Sequence, residues 1–167
     1  MRVPPSEGPI RVHYAPEILA RYRVPVLVEL LNSSEFEWTV IADWDASESF
    51  NDEHDVSEIV RSLTWTHEIS CVQLGRVRLM KKLLAATRAA DVVITVGDAQ
   101  ILSVWLLLFA ARIRRQKVIL WTHGWLRLET GLKRFTRNTF YRLAHHLMLY
   151  SERSRSIGIA HGLSPSS

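Results

Sequence analysis

Asp91-Val-Val-Ile-Thr-Val96-Gly97-Asp98 and, one segment further on, Lys117-Val-Ile-Leu-Trp121-Thr-His-Gly124 decide the fold. Each is a short, unbroken apolar run that ends in a glycine-containing turn. That is the pattern of a strand buried on both faces rather than one with a solvated side. Residues 99–112 between them are largely apolar and read as a buried helix. Two buried strands joined by a helix make a crossover unit, and a crossover unit makes a parallel sheet with helices on its faces.

The same alternation extends outward. Residues 10–14 can form a first strand, ended by Pro16. A helix is expected over 20–31, burying Val24, Leu27, Leu30 and Leu31, with Pro25 harmless in its first turn. Residues 38–42 are a second strand, and the acidic stretch 43–58 a surface loop with a short helix near its end. A third strand is expected over 64–74. A helix is then expected over 75–90, with Val77, Met80, Leu83, Leu84 and Thr87 on one face. Residues 132–144 form an amphipathic helix with Leu132, Phe135, Phe140 and Leu143 on one side. Residues 146–150 are a last strand, and Ser151 is placed to cap a short helix. The expected fold is a Rossmann-like three-layer α/β/α domain with a mostly parallel sheet over 10–163. Residues 1–9 read as a flexible tail and 164–167 as a truncated linker.

Composition agrees. The 167 residues are 47% apolar and 23% charged, ordinary for a globular chain long enough to bury a core. Cys71 is the single cysteine, so no internal disulfide or cysteine metal site can form, and a reducing cytoplasm fits best. The N-terminus lacks the apolar stretch of a signal peptide. The longest apolar run, 101–111, is shorter than the about 20 residues a membrane span takes. Charge is unevenly placed. Residues 1–60 carry 12 acids against 4 Lys/Arg, and residues 112–155 carry 11 Lys/Arg against 2 acids. Arg112, Arg114 and Arg115, with Lys133, Arg134 and Arg137, could form a patch for an anionic surface such as lipid headgroups, or a plain solvated face.

Ligands of open parallel sheets bind beyond the carboxyl ends of the strands. That rule selects Tyr14 and Ala15, Asp43, Gly97 and Asp98, His123 and Gly124, and Tyr150 and Ser151. His123 could hydrogen-bond a sugar hydroxyl or act as an acid or base, or serve only as a structural hydrogen-bonder. Asp98 could accept from ligand hydroxyls or cap the next helix. Arg23, at the start of the first helix, could hold a phosphate or pair with one of the nearby acids. No P-loop, dinucleotide fingerprint, H-E-x-x-H or G-x-S-x-G occurs, and no metal site is expected.

One set of segments carries a resemblance: Tyr22-Arg-Val-Pro25, Asp91-Val-Val-Ile94 with Gly97, Ser103 and Trp105, Trp121-Thr-His-Gly124, and Tyr150-Ser-Glu152. Their order is similar to that in the N-terminal domain of GT-B glycosyltransferases, particularly the bacterial family 4 group, over about residues 11–163. The resemblance implies two Rossmann-like domains facing a cleft, this one binding the acceptor and a second binding a nucleotide-sugar. It implies a metal-independent, retaining hexosyl transfer to a glycan or lipid-linked acceptor in polysaccharide biosynthesis. The enzyme would be cytoplasmic, peripheral at the inner face of the membrane, with the nucleotide-sugar as co-substrate and no further cofactor. His123 would be the catalytic-site residue near the transferred sugar, with Gly124 giving room. Tyr22, Arg23, Gly97 and Asp98 would line the acceptor side.

Residues 14–23 lack the glycine-rich loop of many members, and the family's E-x7-E donor motif belongs to the C-terminal domain, so no residue here is assigned to it. The chain is therefore expected to be an incomplete enzyme, inactive without a C-terminal domain or partner chain. A second reading is a stand-alone binding module for a phosphorylated ligand or partner protein. A nucleic-acid partner is not expected, because the first half is acidic.

Overall fold

The two quoted runs lie side by side within a six-stranded parallel sheet. The computed structural model describes residues 8–51 and 65–164. The strands are β1 (Ile10–Ala15), β2 (Phe36–Ala42), β3 (Trp65–Glu68), β4 (Ser70–Leu74), β5 (Val77–Lys81), β6 (Val92–Val96), β7 (Lys117–Thr122) and β8 (His146–Leu149). The helices are α1 (Val24–Leu31), entered through a 3-10 turn at Arg21–Arg23, then α2 (Trp44–Asn51), α3 (Leu83–Ala86), α4 (Leu102–Arg114), α5 (Gly131–Leu143) and α6 (Glu152–Ala160). Sheet order is β3-β2-β1-β6-β7-β8, all parallel, and β4 and β5 form a separate antiparallel hairpin. Strand order reverses between β1 and β6, which makes their carboxyl ends the switch point of a doubly wound sheet.

Alternation along the strands divides the core into two layers. Val12, Tyr14, Trp38, Val40 and Ala42 face one side and pack with Leu27 of α1 and Trp44 of α2. Ala15, Ile41, Val93, Val118 and Leu120 face the other, against Leu83 of α3, Val104, Leu107, Leu108 and Ala111 of α4, and Phe140 and Tyr141 of α5. The three-layer Rossmann-like fold is therefore present, and its sheet is buried on both faces as the two apolar runs required.

The expected helix over 75–90 is instead a hairpin followed by one helical turn. Gly75 takes a left-handed backbone (φ +61°) and, with Arg76, closes a two-residue turn between the paired Leu74 and Val77. A glycine at the first position of a two-residue turn is the local signal for this hairpin. The spacing of Val77, Met80, Leu83 and Leu84 imitates helical periodicity by coincidence. The expected third strand over 64–74 is two strands, β3 in the sheet and β4 in the hairpin. In the acidic stretch 43–58 the helix stands at the beginning, where Asp43 Oδ1 accepts from the Ala46 N–H at 3.1 Å. The expected short helix near its end lies outside the described residues, as do most of the expected tail and linker.

Two helices are less buried than their sequences suggest. α4 buries Val104, Leu107, Leu108 and Ala111, but Leu102, Leu106, Phe109 and Ile113 are exposed on its outer side. A helix lying on a sheet has one inward face, whatever its composition. On α5 the expected stripe is half correct: Phe140 is buried and Leu143 packs on the core, while Leu132 and Phe135 are exposed. The Ser151 cap is present, accepting from the Ser154 N–H at 3.2 Å. Among the described residues no helix is long and apolar enough to cross a membrane.

Candidate functional site

Three ionisable side chains meet at the switch point. Glu17 follows β1, Asp98 follows β6, and Arg78 reaches from the hairpin to pair with both carboxylates. Burial raises the Glu17 pKa, and the Arg78 charge opposes that rise. Asp98 Oδ1 also accepts from the Gln100 N–H at 2.8 Å, closing a turn before α4. The Asp98 carboxylate is thus engaged from both sides. Neither Glu17 nor Arg78 was legible as a site residue, because the sequence placed residue 78 on a helix rather than in a hairpin.

Beside this ion-pair cluster, a cavity of about 250 Å³ opens over the carboxyl ends of β6 and β7. Arg23, Gly97, Asp98, His123, Gly124 and Tyr150 all line it, with Trp121 and Arg137. A larger hollow, about 310 Å³, lies off the sheet edge between β8 and α6. The cavity over β6 and β7 is the better candidate because side chains from both halves of the sheet converge there.

Aromatic rings build its wall. The His123 ring stacks on Tyr150, with centroids 4.4 Å apart and planes at 25°. Tyr150 lies 6.1 Å from Trp121, and Trp121 lies 5.8 Å from Tyr14. His123 itself is exposed, and among the described residues nothing hydrogen-bonds its ring nitrogens. Its backbone carbonyl accepts from Ser154 Oγ at 2.7 Å, which anchors the loop while the ring stays available. Arg23 enters from the 3-10 turn before α1. Its Nη1 donates to Tyr14 Oη at 3.0 Å and its Nη2 to Tyr150 Oη at 2.6 Å, and its guanidinium carbon sits 4.8 Å from the Trp121 ring centroid. Burial pushes the Tyr14 phenol up to about 12, so it stays neutral beside the arginine. Tyr22 joins the cluster at its outer edge, largely exposed, with the Arg23 guanidinium 5.5 Å from its ring.

The two glycines have packing roles that sequence alone did not reveal. A Cβ on Gly97 would lie 2.6 Å from Thr122 Cβ, inside the β6–β7 pair. Gly124 is left-handed (φ +66°), and the space its side chain would fill is taken by Ser154 and Leu149. The missing Cβ at 124 therefore admits α6 and β8, not a ligand. Beneath the cavity, Thr122 Oγ1 donates to the Gly97 carbonyl at 2.9 Å and accepts from the Gly124 N–H at 3.1 Å.

The basic residues do not form one patch. Arg112 donates to the carbonyls of Arg142 and Leu143 at the end of α5, and Arg114 to that of Leu84. Arg115, left-handed at φ +59°, ends α4 beside them. Lys133 in the first turn of α5 and Arg137 at its middle both pair with the buried carboxylate of Glu129, at 3.1 Å each. Arg134 is exposed there. Lys133 and Leu143 are ten residues apart on one helix, about 15 Å along its axis. The two groups mark opposite ends of the strands.

No family model matches the chain, and no curated protein matches it.

Proposed function

We propose that this domain is the acceptor-binding half of a glycosyltransferase, transferring a sugar from a nucleotide-sugar to a glycan or lipid-linked acceptor. One observation carries the reading: Tyr150, at the carboxyl end of β8, both stacks with His123 and holds Arg23 at the rim of the cavity. A sugar presents apolar C–H faces and a ring of hydroxyls. Aromatic walls with a few convergent polar groups suit that surface. The exposed imidazole of His123 can orient a hydroxyl or take its proton, and Asp98 and Arg23 offer an acceptor and donors on the same wall. The order of segments shared with GT-B enzymes adds the reaction class. The nucleotide-sugar is bound mainly outside this domain.

Ligand-observed NMR of the chain with a panel of oligosaccharides tests the reading. Saturable binding that is lost in His123→Ala supports it, and a panel without a single binder refutes it. In an assembly that also carries a donor site, His123→Ala lowers turnover about 100-fold if the imidazole acts in proton transfer.

A further inference from the structure

Two arginines line the cavity, and their partners differ in kind. Arg137 pairs with Glu129. Arg23 has two phenol hydroxyls, the face of an indole and, among the described residues, no carboxylate. Its Nε is buried without a hydrogen-bond partner. Removing a guanidinium from water without a counter-charge is unfavourable, and neutral acceptors and a ring face offset this only in part. Tyr14 and Tyr150 hold the group in a fixed orientation but leave its charge uncompensated. A guanidinium has five N–H groups, of which the phenols take two.

We infer that Arg23 is an anion subsite of the cleft, and that the ligand bound there carries a phosphate or a carboxylate against its guanidinium. This rests on the cavity being the ligand site, but it adds the substrate class: an acidic or phosphorylated sugar rather than a neutral one. The cage supplies preorganisation. Tyr14 and Tyr150 hold the fork from the ends of two strands, and the Trp121 ring lies against it from a third, so the ligand anion meets donors already placed. Asp98 and Glu17 do not compete for Arg23, because Arg78 holds both.

Calorimetric or NMR titration of the 167-residue chain with glucose 1-phosphate, glucuronate, inorganic phosphate and methyl glucoside decides the matter. At least one charged sugar should bind about tenfold more tightly than methyl glucoside, the difference falling with added salt. Which charged sugar wins tells phosphate from carboxylate. Arg23→Gln should erase the difference, Arg23→Lys should keep part of it, and Arg112→Gln, outside the cavity lining, should leave it in place. The charged-to-neutral ratio is read on the unmodified chain, so a variant that fails to fold does not remove the test. Equal affinity for charged and neutral sugars overturns the anion subsite and leaves the glycan-binding reading standing. Inorganic phosphate binding with no sugar binding at all upholds the subsite and overturns that reading. Absence of binding by all four overturns both.

Discussion

Gly97→Ala is the sharpest test of how the cleft is built. An added Cβ would meet Thr122 Cβ at 2.6 Å, Thr122 Cγ2 at 3.0 Å and Leu120 Cβ at 3.2 Å. None of these atoms is the free end of a flexible chain. Leu120 and Thr122 are buried on β7, which is hydrogen-bonded to β6 on one side and β8 on the other. The strand has nowhere to retreat, so the strain of an overpacked core applies, about 1–3 kcal/mol. Pushing Thr122 aside also weakens its bond to the Gly97 carbonyl and the one it accepts from Gly124, each worth about 1 kcal/mol. The expected loss is about 2–4 kcal/mol, or a melting temperature lower by roughly 5–15 °C in a domain of this size. Urea denaturation followed by circular dichroism measures it directly. Thr122→Ser should not rescue the variant, because the closest contact is the β-carbon it retains. A Gly97→Ala protein as stable as its parent refutes the reasoning. If that protein also lost ligand binding, the glycine would be there for ligand approach rather than strand packing.

Two further outcomes follow from buried polar groups. His13 sits in β1 with Nδ1 on the Ala86 carbonyl at 2.9 Å, and burial, its largest influence, lowers its pKa from 6.5. The native state therefore binds fewer protons than the unfolded chain once pH falls through the unfolded value, and stability must drop with acidification from there. The urea midpoint should be lower at pH 5.5 than at pH 7.5, with a smaller difference in His13→Gln; His145 and His161, also lowered by burial, supply the remainder. Gln116 Nε2 donates to the carbonyls of Thr87 at 2.8 Å and Ala90 at 2.7 Å, with Arg88 at 3.3 Å. Gln116→Glu sets a carboxylate against those three oxygens and should cost about 3 kcal/mol or more at neutral pH. The deficit should shrink as the carboxyl protonates; a pH-independent deficit contradicts this assignment.

The parallel, two-sided sheet was legible because it depends on short-range pattern. Runs such as 92–96 and 117–121 have no polar face to turn outward, so helices must cover both sides wherever the chain goes. The strand-end rule then found Tyr14, Asp98, His123 and Tyr150 without knowledge of strand order. Three matters depended on which segments become neighbours. The 75–90 region satisfied a helical spacing and a hairpin alike, and only the pairing of Leu74 with Val77 across Gly75 separated them. That hairpin delivers Arg78 to Glu17 and Asp98, residues 61 and 20 positions away, which no local pattern encodes. Charge is likewise blind to partners in sequence. The second half holds many cations, yet Glu129 takes up Lys133 and Arg137 and carbonyl groups hold Arg112 and Arg114. Arg23, from the acidic half, is the cavity-lining arginine left without a carboxylate among the described residues. Periodicity records which face of an element is apolar; the distance between two side chains far apart in the chain is a property of the packed sheet alone.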